Sequence, residues 1–430
     1  MKRLYSIVLY LIAPWLLLRL TLRGIRNPAY WRRWPERIGF VGVLKGGCDY
    51  WVHAVSVGEV RAAQPLVSAL LEQTRDTKVL VTTMTPTGSD QVKQSFDDSV
   101  NHYYAPYDFP DAVARFLKRT RPTCVIIMET EIWPNIIHAC YRAKIPLMLA
   151  NLRLSERSYR SYKRIRWLIG PTLTKVNAFA VQTQADADRI ASLGGAQRDI
   201  TVTGSVKFEV KLPASVRELG EVVRREWGKD RPVWIAGSTR DGEEPLLLET
   251  HKRLQQDYPN LLLVLTPRHP ERFAGVYRLC QRSGFNTIRR SEVEGSLDPT
   301  IEVHVCDTMG ELTILYAASD IAFVGGSLVP TGGHNMLEPC ALGVPVILGP
   351  HTFNFEEISQ LTVARGAGIR VTGVADLEAA VHRFLDDPDL RFRTGEAGKK
   401  LVEENLGALE KTLAVVARCA PLPFNTDTVS

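Results

Sequence analysis

The sequence predicts an α/β chain with two doubly wound parallel-sheet domains. Two observations carry this. From Tyr50 onward, short aliphatic and β-branched runs alternate with amphipathic stretches: "YWVHAVS", "KVLVTTM", "CVIIMET", "IPLMLAN", "AFAVQT" and "ITVTGS". The alternation halts at the charged, proline-flanked stretch Lys211–Pro232, then restarts with "VWIAGST", "LLLVLTPRH", "IEVHVCD", "IAFVGGS" and "VPVILGP". Continuous apolar runs of this length belong to strands buried on both faces, which parallel sheets covered by helices supply. The expected layout is a membrane-anchoring segment over 1–22, a first domain over 23–210, a linker over 211–232, a second domain over 233–420 and a frayed tail over 421–430.

The chain has 430 residues, 45% hydrophobic and 23% charged, enough for two proper cores. A net charge of +6 leaves any basic surface local and does not suggest nucleic acid as a partner. Seven cysteines are scattered at 48, 124, 140, 280, 306, 340 and 419 with no Cys-x-x-Cys pair, as expected of reduced thiols facing a cytosol.

The N-terminus departs from globular composition. Leu4–Leu18 is almost wholly apolar; Lys2 and Arg3 precede it, and Arg19, Arg23, Arg26, Arg32, Arg33 and Arg37 follow. No small-residue cleavage site follows the run, which disfavours a signal peptide. A helix through Leu20 would be roughly 25 Å long, slightly short of a bilayer core. The segment fits either a span or an interfacial helix, with a buried core helix as the competing reading. The arginine flank is expected to keep the body on the cytoplasmic side of the membrane, against an anionic lipid surface.

Several motifs are absent. Neither series has Gly-x-Gly-x-x-Gly after its first strand, nor a Walker A loop, so dinucleotide and ATP-hydrolysing readings lose ground. Asp186 and Asp188 form an Asp-x-Asp pattern, but they open a helix, where acids complement the dipole. The histidines show no metal-ligand spacing, and Ser56 lacks the Gly-x-Ser-x-Gly elbow. The glycine-rich stretch Gly325–Pro350 reads as strand, turn, short helix, strand. There Gly332 and Gly333 would let backbone approach a ligand, Asn335 would cap the helix, and Glu338 would accept from a ribose hydroxyl. Arg268, at a strand end, can fork onto a phosphate.

Seven blocks in order, "HAVSVGE" (53–59), "VTTMTPTGS" (81–89), "METEIWPN" (128–135), "TGSVKF" (203–208), "TPRHPERF" (266–273), "DTMGEL" (307–312) and "GGHNMLEP" (332–339), resemble the Kdo transferases, the 3-deoxy-D-manno-octulosonic-acid transferases of lipopolysaccharide synthesis. The resemblance covers nearly the whole chain. It implies a GT-B fold of two facing Rossmann-like domains, CMP-Kdo as donor, a lipid A precursor (lipid IVA) as acceptor, inversion at the sugar carbon, and neither metal nor cofactor. It further implies Glu59 as general base, with Glu129 and Lys207 stabilising the transition state. Pro267, Arg268, Met309, Gly310, Glu311, Asn335, Met336, Leu337 and Glu338 would bind CMP. The competing readings are a GT-B transferase or epimerase using a UDP-sugar, and a membrane scaffold that binds nucleotide or lipid without turnover.

Overall fold

The computed structural model describes residues 2–26, 28–73, 76–210, 212–293 and 295–420; the expected tail over 421–430 lies outside the described residues. The chain divides into two compact units, one of Met1–Glu209 with Gly407–Ser430 and the other of Val210–Leu406.

The first unit is built on a seven-stranded sheet of β1 (Cys48–His53), β2 (Val79–Thr83), β3 (Asn101–Tyr104), β4 (Pro122–Met128), β5 (Leu147–Leu152), β6 (Ala178–Val181) and β7 (Ile200–Val202). The order is β3-β2-β1-β4-β5-β6-β7, and every pairing is parallel. Chain order reverses between β1 and β4, which opens a crevice at their carboxyl ends. Alternation along β1 sends Tyr50 and Val52 into one core cluster and Trp51 into the other, so helices must cover both faces. The helices α2 (Val57–Gln73), α3 (Pro86–Phe96), α4 (Pro110–Thr120), α5 (Pro134–Ala143) and α6 (Glu156–Arg164) lead out of that carboxyl edge.

The second unit repeats the plan with β8 (Val233–Thr239), β9 (Leu262–Pro267), β10 (Thr287–Arg289), β11 (Val303–Val305), β12 (Ile321–Val324), β13 (Val346–Leu348) and β14 (Gly368–Arg370). Its parallel order is β10-β11-β9-β8-β12-β13-β14, with the reversal between β8 and β12.

Two expected boundaries are corrected. The stretch 211–232 is not a plain linker: Val216–Trp227 is a helix whose Val216, Val223 and Trp227 are buried in the second unit's core. Its apolar positions recur at helical spacing, and its charges fill the opposite face. Nor does the second domain run to 420. The helix Ala408–Cys419 returns to the first unit, where Leu409, Leu413, Val415 and Val416 join the Val52 core and Arg418 donates to Thr201.

The N-terminal segment forms α1 (Lys2–Arg26); the side chains of Arg19, Arg23 and Arg26 lie outside the described set. By length and composition alone, Arg3–Leu22 is apolar enough to cross a membrane. Hydrogen bonds from three of its side chains tie it to the body. The Tyr5 hydroxyl donates to Asp108 at 3.0 Å, Ser6 donates to Asn135 at 3.1 Å, and Tyr10 donates to Asp111 while stacking on Phe109. Leu4, Ile7, Val8, Leu11 and Trp15 face outward. Among the described residues, neither cluster of the first unit's core draws on α1. Removing residues 1–22 is therefore expected to leave cooperative unfolding intact and to raise detergent-free solubility. Loss of the cooperative transition in a denaturant titration would make α1 part of the core.

Candidate functional site

In the first unit, three expected residues meet at the reversal point. β1 ends at His53, and a tight turn places Glu59 in the first turn of α2. Glu59 is 8% exposed, and its carboxylate accepts from Val55 N at 2.7 Å and from the Ser56 hydroxyl at 3.1 Å. Burial pushes Glu59 up to about 8; the Val55 amide opposes this, while Glu131 and Glu129 add to it. A carboxyl tuned so close to neutrality suits proton abstraction.

Glu129 follows β4 and has φ 56, a left-handed conformation uncommon outside glycine. Its amide still donates to Ala150 O at 2.8 Å, so the turn begins while the ladder holds. The Glu129 carboxylate pairs with Lys207 Nζ at 2.6 Å. The Lys207 loop is pinned by Asn151, fully buried and itself left-handed at φ 54. Asn151 Oδ1 accepts from Val206 N and from Gln182 Nε2, each at 3.2 Å. His53 is buried in the wall and pushed down to about 4 by desolvation, which leaves it neutral and out of reach.

In the second unit, the carboxyl ends of β8, β9 and β11 surround a cavity of about 310 Å³. Pro267, Arg268, Met309, Gly310 and Glu338 line it, as do Ser238, Thr266 and Thr308, which the sequence reading did not single out. Burial raises the Glu338 carboxyl above its ordinary range, while Asn335 and Arg268 pull it back. Asn335 Nδ2 donates to Glu338 at 3.1 Å, and its Oδ1 accepts from Leu337 N at 3.1 Å. Asn335 thus braces the helix start, with Met336 at the cap position.

Other expected residues are placed differently. The Met336 and Leu337 side chains are buried, so only their backbone groups are available to a ligand. Glu311 does not line the cavity; it is engaged by Thr308 and by Arg290 at 3.5 Å. The glycine-rich turn serves its own packing. The amides of Gly326, Ser327 and Leu328 donate to the buried carboxylate of Glu243 at 2.7–3.0 Å. Gly332 has φ 98, which favours glycine, and a Cβ there would lie 2.2 Å from Asn354 Nδ2. Asp186, of the Asp-x-Asp pattern, is buried and accepts from Leu154 N at 2.8 Å and from the Thr183 hydroxyl.

Glu131 was missed, although "METEIW" shows its charge two residues from Glu129; it borders the site and accepts from Trp133 Nε1 at 2.7 Å. Asn151 and Ser238 carried no readable signal, because a left-handed asparagine or serine has no sequence mark.

A family model for group 1 glycosyl transferases matches residues 285–401, in the second parallel-sheet unit, and the chain is a glycosyltransferase. A second model, 3-deoxy-D-manno-octulosonic-acid transferase (kdotransferase), matches residues 32–210. The 3-deoxy-D-manno-octulosonic acid transferase of Haemophilus influenzae is 42% identical over 95% of this chain and 96% of its own. That of Bordetella pertussis is 36% identical over 96% of this chain and 98% of its own. Among solved structures, the C-terminal CMP-Kdo binding domain of WaaA from Acinetobacter baumannii is 31% identical, covering 46% of this chain and 98% of that one at a TM-score of 0.39. The chain belongs to the Kdo transferase family.

The raised Glu59 pKa has two readable consequences. If Glu59 must be ionised to accept a proton, kcat/KM for the acceptor should rise with pH through about 8. Because its folded pKa lies above the unfolded value, the folded state binds the extra proton, and this group's contribution to stability falls as pH rises from about 4.5 to about 8. Glu59→Gln should therefore cut turnover by about 10²–10⁴. It should also unfold at a higher temperature than wild type at pH 8 and at a similar one near pH 4. A Gln variant with wild-type turnover would remove Glu59 from the chemistry.

Proposed function

We propose that the protein transfers Kdo, with inversion, from CMP-Kdo to a lipid A precursor such as lipid IVA, at the cytoplasmic face of the inner membrane. The observation that carries this is the grouping of Glu59, Glu129 and Lys207 at the first sheet's reversal point, with Glu59 tuned toward neutrality. Transfer to a hydroxyl needs a base that takes its proton as the new bond forms. Glu59 is that base. Lys207, oriented by Glu129, offers a fixed positive charge to the Kdo carboxylate or to the departing phosphate.

The donor's nucleotide is assigned to the cavity of the second unit. Arg268, which lines this cavity together with Glu338, meets the phosphate, and Glu338 accepts from the ribose. Pro267, Met309 and Gly310 wall the site, with Glu311 anchoring the Met309–Gly310 turn from behind. Asn335 braces Glu338, and the Met336–Leu337 backbone opens the adjoining helix.

The membrane side of the reading rests on α1 and α6. No residue of α6 is buried, and Arg157, Arg160, Lys163 and Arg164 stand exposed on it beside Trp167. Such a helix suits an anionic bilayer.

Mass spectrometry of lipid IVA after incubation with CMP-Kdo tests the activity directly, and the mass increments count the sugars added. An unmodified lipid would sink the reading, and turnover with a UDP-sugar would redirect it. Glu338→Ala and Arg268→Ala should each weaken CMP binding by about 1.5–3 kcal/mol in calorimetry, the Arg268 effect shrinking with salt. Arg157→Glu with Lys163→Glu should weaken binding to anionic vesicles and leave CMP affinity alone.

A further inference from the structure

A groove of about 650 Å³ runs between α4 and α5 in the first unit. That size falls within the range of about 300–1,000 Å³ that takes small ligands. Leu117, Ala139 and Ile145 contribute an apolar floor, and Ala114 stands exposed along it. Lys118, Arg121 and Arg142 line the end where the two helices finish and β4 begins. No acid lines the groove among the described residues. Cations in a last helical turn complement the dipole, and Lys118 and Arg142 do so in α4 and α5. The dipole alone does not explain why two helices bring them together over an apolar floor.

The other end of the groove meets α1. Ser6 donates to Asn135, which lines the groove, and Tyr10 donates to Asp111 beside the lining Pro110. The flanks are apolar too. Tyr141 on α5 is exposed, and so is Phe40, which lies under the Arg115 guanidinium of α4 at 4.4 Å. An apolar floor, a cationic end and a neighbouring hydrophobic helix together suit a lipid with an anionic head group. The helix of Glu59 lies on the opposite side of the sheet. Ala62 and Leu66 of α2 pack with Val52, whereas Val113, Leu117 and Ile137 of α4 and α5 pack with Trp51. The cationic end also sits at the start of β4, whose seven residues carry the chain roughly 20 Å before Glu129 is reached. A sugar reacting at Glu59 is therefore not what this groove holds.

We infer that the groove binds one anionic phospholipid of the bilayer, with an acyl chain on the apolar floor and the phosphate at Lys118, Arg121 and Arg142. The site rests on the membrane reading of α1, which brings the groove to the lipid surface. A phospholipid seated there ties the first unit to the membrane at a point separate from α6, by fit as well as by charge.

Native mass spectrometry and thermal unfolding of the full chain in neutral detergent test it. The probes are dioleoyl phosphatidylglycerol and dioleoyl phosphatidylcholine, which share their acyl chains and differ in head-group charge. Wild type should retain a single phosphatidylglycerol and gain stability with it, and phosphatidylcholine should do neither. Ala114→Trp fills the groove from an exposed helix position, and Lys118→Gln with Arg142→Gln removes two exposed charges, so both variants keep the fold. Each should need at least tenfold more phosphatidylglycerol for the same gain. Equal responses to the two lipids, or an Ala114→Trp variant that responds like wild type, would overturn the inference. So would a wild-type dimer that Ala114→Trp dissociates, because the groove would then hold a second copy of the chain. Displacement of phosphatidylglycerol by lipid IVA, with a raised acceptor KM in Ala114→Trp, would give the groove to the acceptor and overturn it as well. Flotation of wild type with vesicles is read separately: its failure sinks the membrane reading, and the detergent titration still decides the groove.

Discussion

A parallel sheet ends all its strands at one edge, and that constraint organises everything functional here. Because helices cover both faces of each sheet, residues along the strands are committed to packing: Val52 and Trp51 point into opposite cores and neither is available for chemistry. Only the turns that leave the carboxyl edge are free, and a recess forms where neighbouring turns diverge, on either side of the strand at which chain order reverses. Glu59 and Glu129 leave the two strands that flank the first reversal. Ser238 leaves a strand that flanks the second.

The two edges handle charge differently. In the first unit, the buried Glu59 and the partly exposed Glu129, Glu131 and Lys207 lie close together. The lysine pairs with Glu129, so the remaining repulsion and desolvation fall on Glu59 and Glu131, and both carboxyls are pushed upward. In the second unit, the buried acid Glu243 is met by three successive backbone amides and spends its charge on holding a loop in shape. Arg272 and the buried Glu244 likewise neutralise each other at 2.8 Å. Arg268 and Glu338, a cation and an acceptor, line one cavity at that edge.

Eleven of the fourteen strands were legible as apolar runs, and the three that were not, β3, β10 and β14, are all sheet edges. An edge strand has one neighbour and needs fewer apolar letters, so "NHYY", "TIR" and "GIR" carry little pattern. Glu59, Glu129 and Lys207 were legible as positions in ordered blocks, but the electrostatics of their grouping were not. Nothing in "HAVSVGE" tells how deeply Glu59 is buried, or that Glu131 lies close enough to raise it. Glycines that admit a ligand and glycines that make room for a neighbouring side chain look alike in sequence, and nothing in "PTGGHN" tells that Asn354 lies against Gly332. The unit boundaries failed at Val216–Trp227 and Ala408–Cys419 because helical periodicity shows that a helix has a buried face but not which sheet it covers.

The return of Ala408–Cys419 makes the second unit an insertion within the first. A ribosome delivers the seven strands of the first sheet early, but the helix that seals part of one face arrives only after some two hundred further residues. At about 5–20 residues per second, that face waits roughly 10–40 seconds for its cover. Val52, Val81 and Ile126 would spend that interval behind an incomplete wall. The newborn chain thus has a period of vulnerability written into its connectivity, and a chaperone that shields apolar surface would find its client there.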